Sequence, residues 1–160
     1  MCMTKGSALP ALSGPGIFLG PRDVQDAYMN ISIVPLYAAL LAALFIILSV
    51  RVIRTRRQER VAVGDGDSLR LRRAIRVHAN FSEYVPLALI LVTFVEMQQF
   101  SPIIVHMLCL MLITGRVCHA YGVSQEDEDF RFRVAGMALT FTPIAIAMVL
   151  LVGSFSVQPA

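Results

Sequence analysis

Charge is what this chain has least of: Asp, Glu, Lys and Arg make up 16% of its 160 residues, against 56% hydrophobic residues. Mean hydropathy is +0.67. An ordinary soluble domain carries about 25% charged residues, so the composition excludes one and indicates an integral membrane protein. Cysteine is scarce as well. Cys2, Cys109 and Cys118 form an odd set without paired spacing, which excludes a disulfide framework and gives no metal-ligand pattern. Basic residues are confined rather than rare. Nine arginines fall between Arg51 and Arg76, and Arg116, Arg131 and Arg133 follow. They mark loops and helix ends, so the net charge of +3 does not describe a nucleic-acid-binding stripe.

What the sequence does have is long apolar runs. A spanning helix needs about 20 apolar residues at ~1.5 Å each to cross a ~30 Å hydrocarbon core. Helices are therefore expected over about 31–53, 68–98, 103–121 and 132–155, and the fold class is an all-α membrane protein, a four-helix transmembrane bundle. Pro35, Pro86 and Pro143 lie inside spans, where neighbouring helices tolerate the kinks. Gly64, Asp65, Gly66 and Asp67 predict a turn between the first two helices, too poor in regularly spaced oxygens for a calcium loop. In residues 1–28, Pro10, Gly14, Pro15, Gly16, Gly20 and Pro21 interrupt each apolar run. A disordered tail is expected there, ahead of a membrane domain over 29–157, with natural translation starting at Met29.

Topology follows from the arginines, because short loops rich in basic residues stay cytoplasmic. The first two helices are joined through Arg51, Arg54, Arg56, Arg57, Arg60, Arg70, Arg72 and Arg73, and the last two through Arg131 and Arg133, whereas the stretch Gln98–Pro102 has no basic residue. Both termini are thus expected on the periplasmic side, with both polar loops in the cytoplasm.

One run concentrates the chemistry. At about 100° per residue, Arg76, Asn80, Glu83 and Tyr84 occupy roughly a third of one helix circumference at the cytoplasmic mouth of the second span. Burying an ionisable group in a span costs at least ~2.5–3.5 kcal/mol, which makes Glu83 a functional-site candidate facing the bundle interior. An ion pair that fixes helix packing is the other reading of Glu83. On the third helix Arg116 and His119 are three apart and share a face, and Gly115 permits close helix approach. His78 projects away from Asn80 and Arg76, and His106 belongs to the outer interface. Arg131 and Arg133 bring the fourth helix to the same depth. Three arginines from three helices, with an amide and a carboxylate, form a basic pocket suited to an anionic molecule with amine and carboxylate ends. The acidic run Glu126–Asp129 reads as a solvated loop.

These residues resemble the MAPEG family, the membrane-associated proteins of eicosanoid and glutathione metabolism, and in particular its small bacterial inner-membrane members. The resemblance covers about 130 residues and rests on Arg76, Asn80, Glu83 and Tyr84, on Gly115, Arg116 and His119, and on Arg131 and Arg133. It implies a homotrimer with glutathione as co-substrate between subunits on the cytoplasmic side, and a lipophilic second substrate reaching it from the lipid bilayer. Carried onto this chain, it gives Arg76, Asn80, Glu83, Tyr84, Arg116 and His119, with Arg73 and Tyr121, as the glutathione-binding set. Arg133 corresponds to the catalytic arginine that stabilises the thiolate. The chemistry agrees, since a free thiol titrates near ~8.5 and an adjacent cation favours the nucleophilic thiolate. The implied activity is a microsomal-type glutathione transferase or peroxidase; the alternative is a non-catalytic lipid- or thiol-binding protein of the same fold. The pattern departs at two positions, where Val123 and Met137 stand in place of tyrosines that family enzymes often carry. A small transporter is disfavoured, because its ionisable residues belong near the bilayer midplane.

Overall fold

A computed structural model describes residues 31–125 and 130–157. The expected tail, the proposed start at Met29 and the acidic run Glu126–Asp129 lie outside the described residues. Four helices follow in order: α1 (Val34–Glu59), α2 (Leu69–Met97), α3 (Pro102–Ser124) and α4 (Phe130–Val157). Each is long and apolar enough to cross a membrane.

The helices overrun the spans read from hydropathy. The first is expected to stop near residue 53, yet α1 continues to Glu59 and ends at Arg60, whose left-handed backbone (φ 57°) lets its N–H close on the Arg56 carbonyl. Arginine, glutamine and glutamate favour helix, so the hydrogen-bond ladder continues after the apolar run ends. For the same reason α3 runs to Ser124, three residues beyond 121, and α4 begins at Phe130. The Gly64–Asp67 turn forms as expected, with φ +74° at Gly64, +56° at Gly66 and 59° at Asp67. Ser68 then caps α2, its hydroxyl accepting from the Leu71 N–H at 3.3 Å.

Two apolar clusters hold the bundle. Tyr37, Val92, Val95, Val105 and Leu108 pack near one end, and Leu41, Val77, Phe81, Val85 and Leu112 towards the arginine-rich end. The α3–α4 pair owes its closeness to glycine. A Cβ on Gly136 would stand 2.6 Å from the His119 nitrogen, and one on Gly115 2.9 Å from Leu139 Cβ. This contact sets His119 beside the first turns of α4. Leu36, Ile46, Ile47, Ile103 and Val149 point outward, as lipid-facing residues of a bundle do.

The far end carries a carboxylate that hydropathy does not foretell. Glu96 is only 8% exposed. Its Oε1 accepts from the Ser32 and Ile33 N–H groups at 2.8 and 2.7 Å, and its Oε2 from Val34 at 3.0 Å. These are the orphan donors at the start of α1, whose own N-cap residue Ile33 has no side-chain acceptor. Glu96 thus ties the end of α2 to the start of α1.

Candidate functional site: a basic cavity at the arginine-rich end

From Val34 to Arg54 a helix rises about 30 Å, as it does from Met97 back to Arg76, so both arginines stand at the edge of the hydrocarbon layer. Between α2, α3 and the start of α4 at this level lies a cavity of about 180 Å³. Arg72, Arg73, Arg76 and Asn80 line it from α2, His119 and Val123 from α3, and Arg133 from α4. No carboxylate is among these lining residues.

Five of the residues singled out by sequence therefore meet: Arg73, Arg76, Asn80, His119 and Arg133. Arg116 lies beneath them. It is 1% exposed, donates to Asn80 Oδ1 at 2.6 Å and to Thr140 Oγ1 at 3.4 Å, and sits 5.8 Å from the Phe81 ring centroid. Thr140 in turn donates to the Gly136 carbonyl at 2.8 Å. One guanidinium thus joins three helices and holds the Asn80 amide by its oxygen. Arg116 Nε and His119 Nδ1 have no hydrogen-bond partner among the described residues. Buried polar atoms are seldom left so, and the His119 nitrogen gives the site hydrogen-bonding capacity for a ligand or water.

The remaining candidates lie outside the cavity of a single protomer. Glu83 is exposed on the outer surface of α2, not turned into the bundle as its cost of burial led one to expect. Tyr84 packs edge-on against Phe141, ring centroids 5.2 Å apart. Tyr121 is 54% exposed and rests on Phe132. The reason is angular, since two residues past His119 is about 200° around the helix, whereas Val123, four past it, shares the His119 face. His78 bonds Ser49 at 3.0 Å and lies on Phe45, away from the cavity, and His106 bonds the Tyr37 hydroxyl at 2.8 Å near the opposite end.

Arg72 was not among the candidates, although four residues before Arg76 it occupies the same helix face. It is held at the rim by Asp65 Oδ2 at 2.5 Å and approaches Asp67 at 3.8 Å. The Arg72 guanidinium keeps the Asp65 carboxyl below the ordinary carboxylate range. Arg73 donates to the Gln125 carbonyl at 2.7 Å, tying the start of α2 to the end of α3.

The MAPEG family model matches residues 34–153, which takes in α1, α2 and α3, α4 as far as Gly153, and every cavity residue. The chain is 42% identical over 111 residues to the inner membrane protein YecN of Escherichia coli K12, an alignment covering 69% of this chain and 83% of YecN; the YecN of Escherichia coli O6:H1 matches equally. This chain, which folds as a four-helix membrane bundle, belongs to the MAPEG family.

Proposed function

We propose that this protein binds glutathione in the arginine-lined cavity and transfers it to lipophilic electrophiles dissolved in the membrane. The observation that carries the reading is the convergence of Arg72, Arg73, Arg76 and Arg133 with Asn80 and His119 at the membrane edge, without a lining carboxylate. Glutathione is a tripeptide with two carboxylates, one ammonium group and one thiol. Guanidinium groups recognise its carboxylates in bidentate fashion, and Asn80, its oxygen engaged by Arg116, offers its NH2. Arg133 stabilises the thiolate. The sulfur attacks the electrophilic carbon, a C–S bond forms, the leaving group departs with its electron pair, and the thiol proton goes to water. With a lipid hydroperoxide the same thiolate attacks the terminal oxygen, the O–O bond breaks, the departing alkoxide takes a proton to leave as an alcohol, and a second glutathione thiol converts the sulfenic acid to a disulfide with release of water.

The small size of the cavity supports a site completed by a neighbouring subunit, and the homotrimer is the assembly that the family resemblance implies. Small-molecule sites usually run to about 300–1,000 Å³, while one protomer supplies about 180 Å³. Glu83, exposed on α2 about two helical turns from Arg76, is then positioned for the glutathione amine where a neighbouring subunit closes the site. The arginine-rich end faces the cytoplasm, where glutathione is plentiful, and both termini face the periplasm.

The test is conjugation of an aryl halide by the purified oligomer. Arg133→Ala is expected to lower turnover about 100-fold; wild-type activity no greater than that of the variant rejects the role. A second reading has its own observation, because Val123 lines the cavity on the face where family enzymes often carry a tyrosine, and Met137 replaces another. A protein that binds glutathione or lipid without turnover predicts calorimetric binding by wild type, weakened in Asn80→Ala and Glu83→Ala, and no conjugate.

A further inference from the structure

We propose a second anion site on this protein, for the phosphate of an anionic phospholipid, in the groove between α1 and the first turn of α2. The groove encloses about 460 Å³ and shares no lining residue with the arginine-lined cavity. Ile46, Ile47 and Val50 line it first, then Arg51 and Arg54, and Arg70 closes it from α2. Ile46, Val50 and Arg54 recur at intervals of four, with Ile47 and Arg51 on the adjoining row, so one face of α1 turns from apolar to cationic along its length. Ile46 and Ile47 are more than 60% exposed. The eight helical steps from Ile46 to Arg54 advance about 12 Å, from acyl-chain depth to the headgroup layer.

Three guanidinium groups around one groove with no lining carboxylate attract a phosphate, which they can hold by paired N–H contacts. An adjoining cavity of about 450 Å³ shares Arg51 and Arg70 and adds Ser68 and Arg73, the last of which also lines the arginine-lined cavity. Arg51 also donates to the Ser124 hydroxyl, which anchors it to α3. Basic pockets between transmembrane helices are suited to acidic headgroups. The apolar entrance selects lipid over a free anion, because inorganic phosphate leaves Ile46, Ile47 and Val50 without a partner whereas an acyl chain covers them. The site stands independently of the glutathione reading, since neither Arg54 nor Arg70 lines that cavity.

The experiment is thermal unfolding of the full chain in neutral detergent, titrated separately with phosphatidylglycerol, phosphatidylcholine, inorganic phosphate and glutathione. Phosphatidylglycerol at tenfold excess over its Kd is expected to raise the midpoint by about 3 °C or more. Phosphatidylcholine and inorganic phosphate are expected to leave it unchanged. The double variant R54Q/R70Q is expected to lose the phosphatidylglycerol shift and keep its response to glutathione. Equal shifts with phosphatidylcholine, or an undiminished phosphatidylglycerol shift in the variant, overturn the proposal. A matching shift from inorganic phosphate overturns it in favour of a free-anion site, and loss of the glutathione response in R54Q/R70Q overturns it by assigning the groove to glutathione.

Discussion

Arg116 is a cation almost wholly removed from solvent, and the two residues it donates to, Asn80 and Thr140, are neutral. Removing one partner of a buried charge leaves the charge uncompensated, whereas replacing the charge by an apolar group of similar shape relieves the burial cost. Asn80→Ala should therefore destabilise the bundle by about 2–3 kcal/mol, and Arg116→Met by less, as read by unfolding in detergent. The reverse order would show that Arg116 finds compensation elsewhere. At the rim, the depressed pKa of Asp65 sets a sign. A carboxyl whose folded pKa lies below its unfolded value contributes stability above the unfolded value, and loses it as pH falls through the folded one. The contact with Arg72 is solvent-exposed, so the effect on global stability is small. A side-chain carboxyl NMR titration is expected to give Asp65 a midpoint below the ordinary carboxylate range, and in Arg72→Gln the midpoint should move back towards that range. Arg73 came from the family resemblance, whereas the face shared by Arg76 and Asn80 was legible from helical spacing alone. Thr140 was not, because nothing in the sequence reports which residue of α4 lies opposite Arg116.

At the scale of elements, two devices fix the helices at opposite ends. Gly115 and Gly136 let α3 and α4 approach until a Cβ no longer fits, which carries His119 towards Arg133. The closeness that Gly115 permits was readable from sequence; its partner Gly136 was not, since interhelical register depends on both surfaces. At the other end Glu96 accepts three backbone N–H bonds from the start of α1. A carboxylate at a helix N-terminus gains from the dipole as well as from its hydrogen bonds. It was missed because it sits at the edge of an apolar stretch, although an ionisable residue inside a span is itself a signal. Glu96→Ala should cost about 1–3 kcal/mol and speed amide hydrogen exchange at Ser32, Ile33 and Val34 without altering glutathione binding at the far end. Unchanged exchange would show that water caps α1 equally well.

For the whole molecule, four apolar runs separated by arginines were enough to give the bundle, because a bilayer admits few other arrangements of such a sequence. The site was legible only as far as one protomer contains it. Arg73, Arg76, Asn80, His119 and Arg133 share a cavity, while Glu83 lies exposed on α2 and Tyr84 and Tyr121 pack elsewhere. A charged Glu83 at this level of a lipid-facing surface is costly unless another polar surface meets it. A cavity of about 180 Å³ is smaller than the ~300–1,000 Å³ of most small-molecule sites, so a bound peptide of glutathione size would extend beyond it. Binding should then depend on assembly. Native mass spectrometry in mild detergent is expected to give three protomers, and calorimetric glutathione binding should decline in parallel with the trimer fraction as harsher detergent dissociates it while circular dichroism still reports intact helices. Monomers that bind as tightly as the oligomer would mean that the single-protomer cavity suffices, and Glu83 would then be an interface residue with no part in the ligand site.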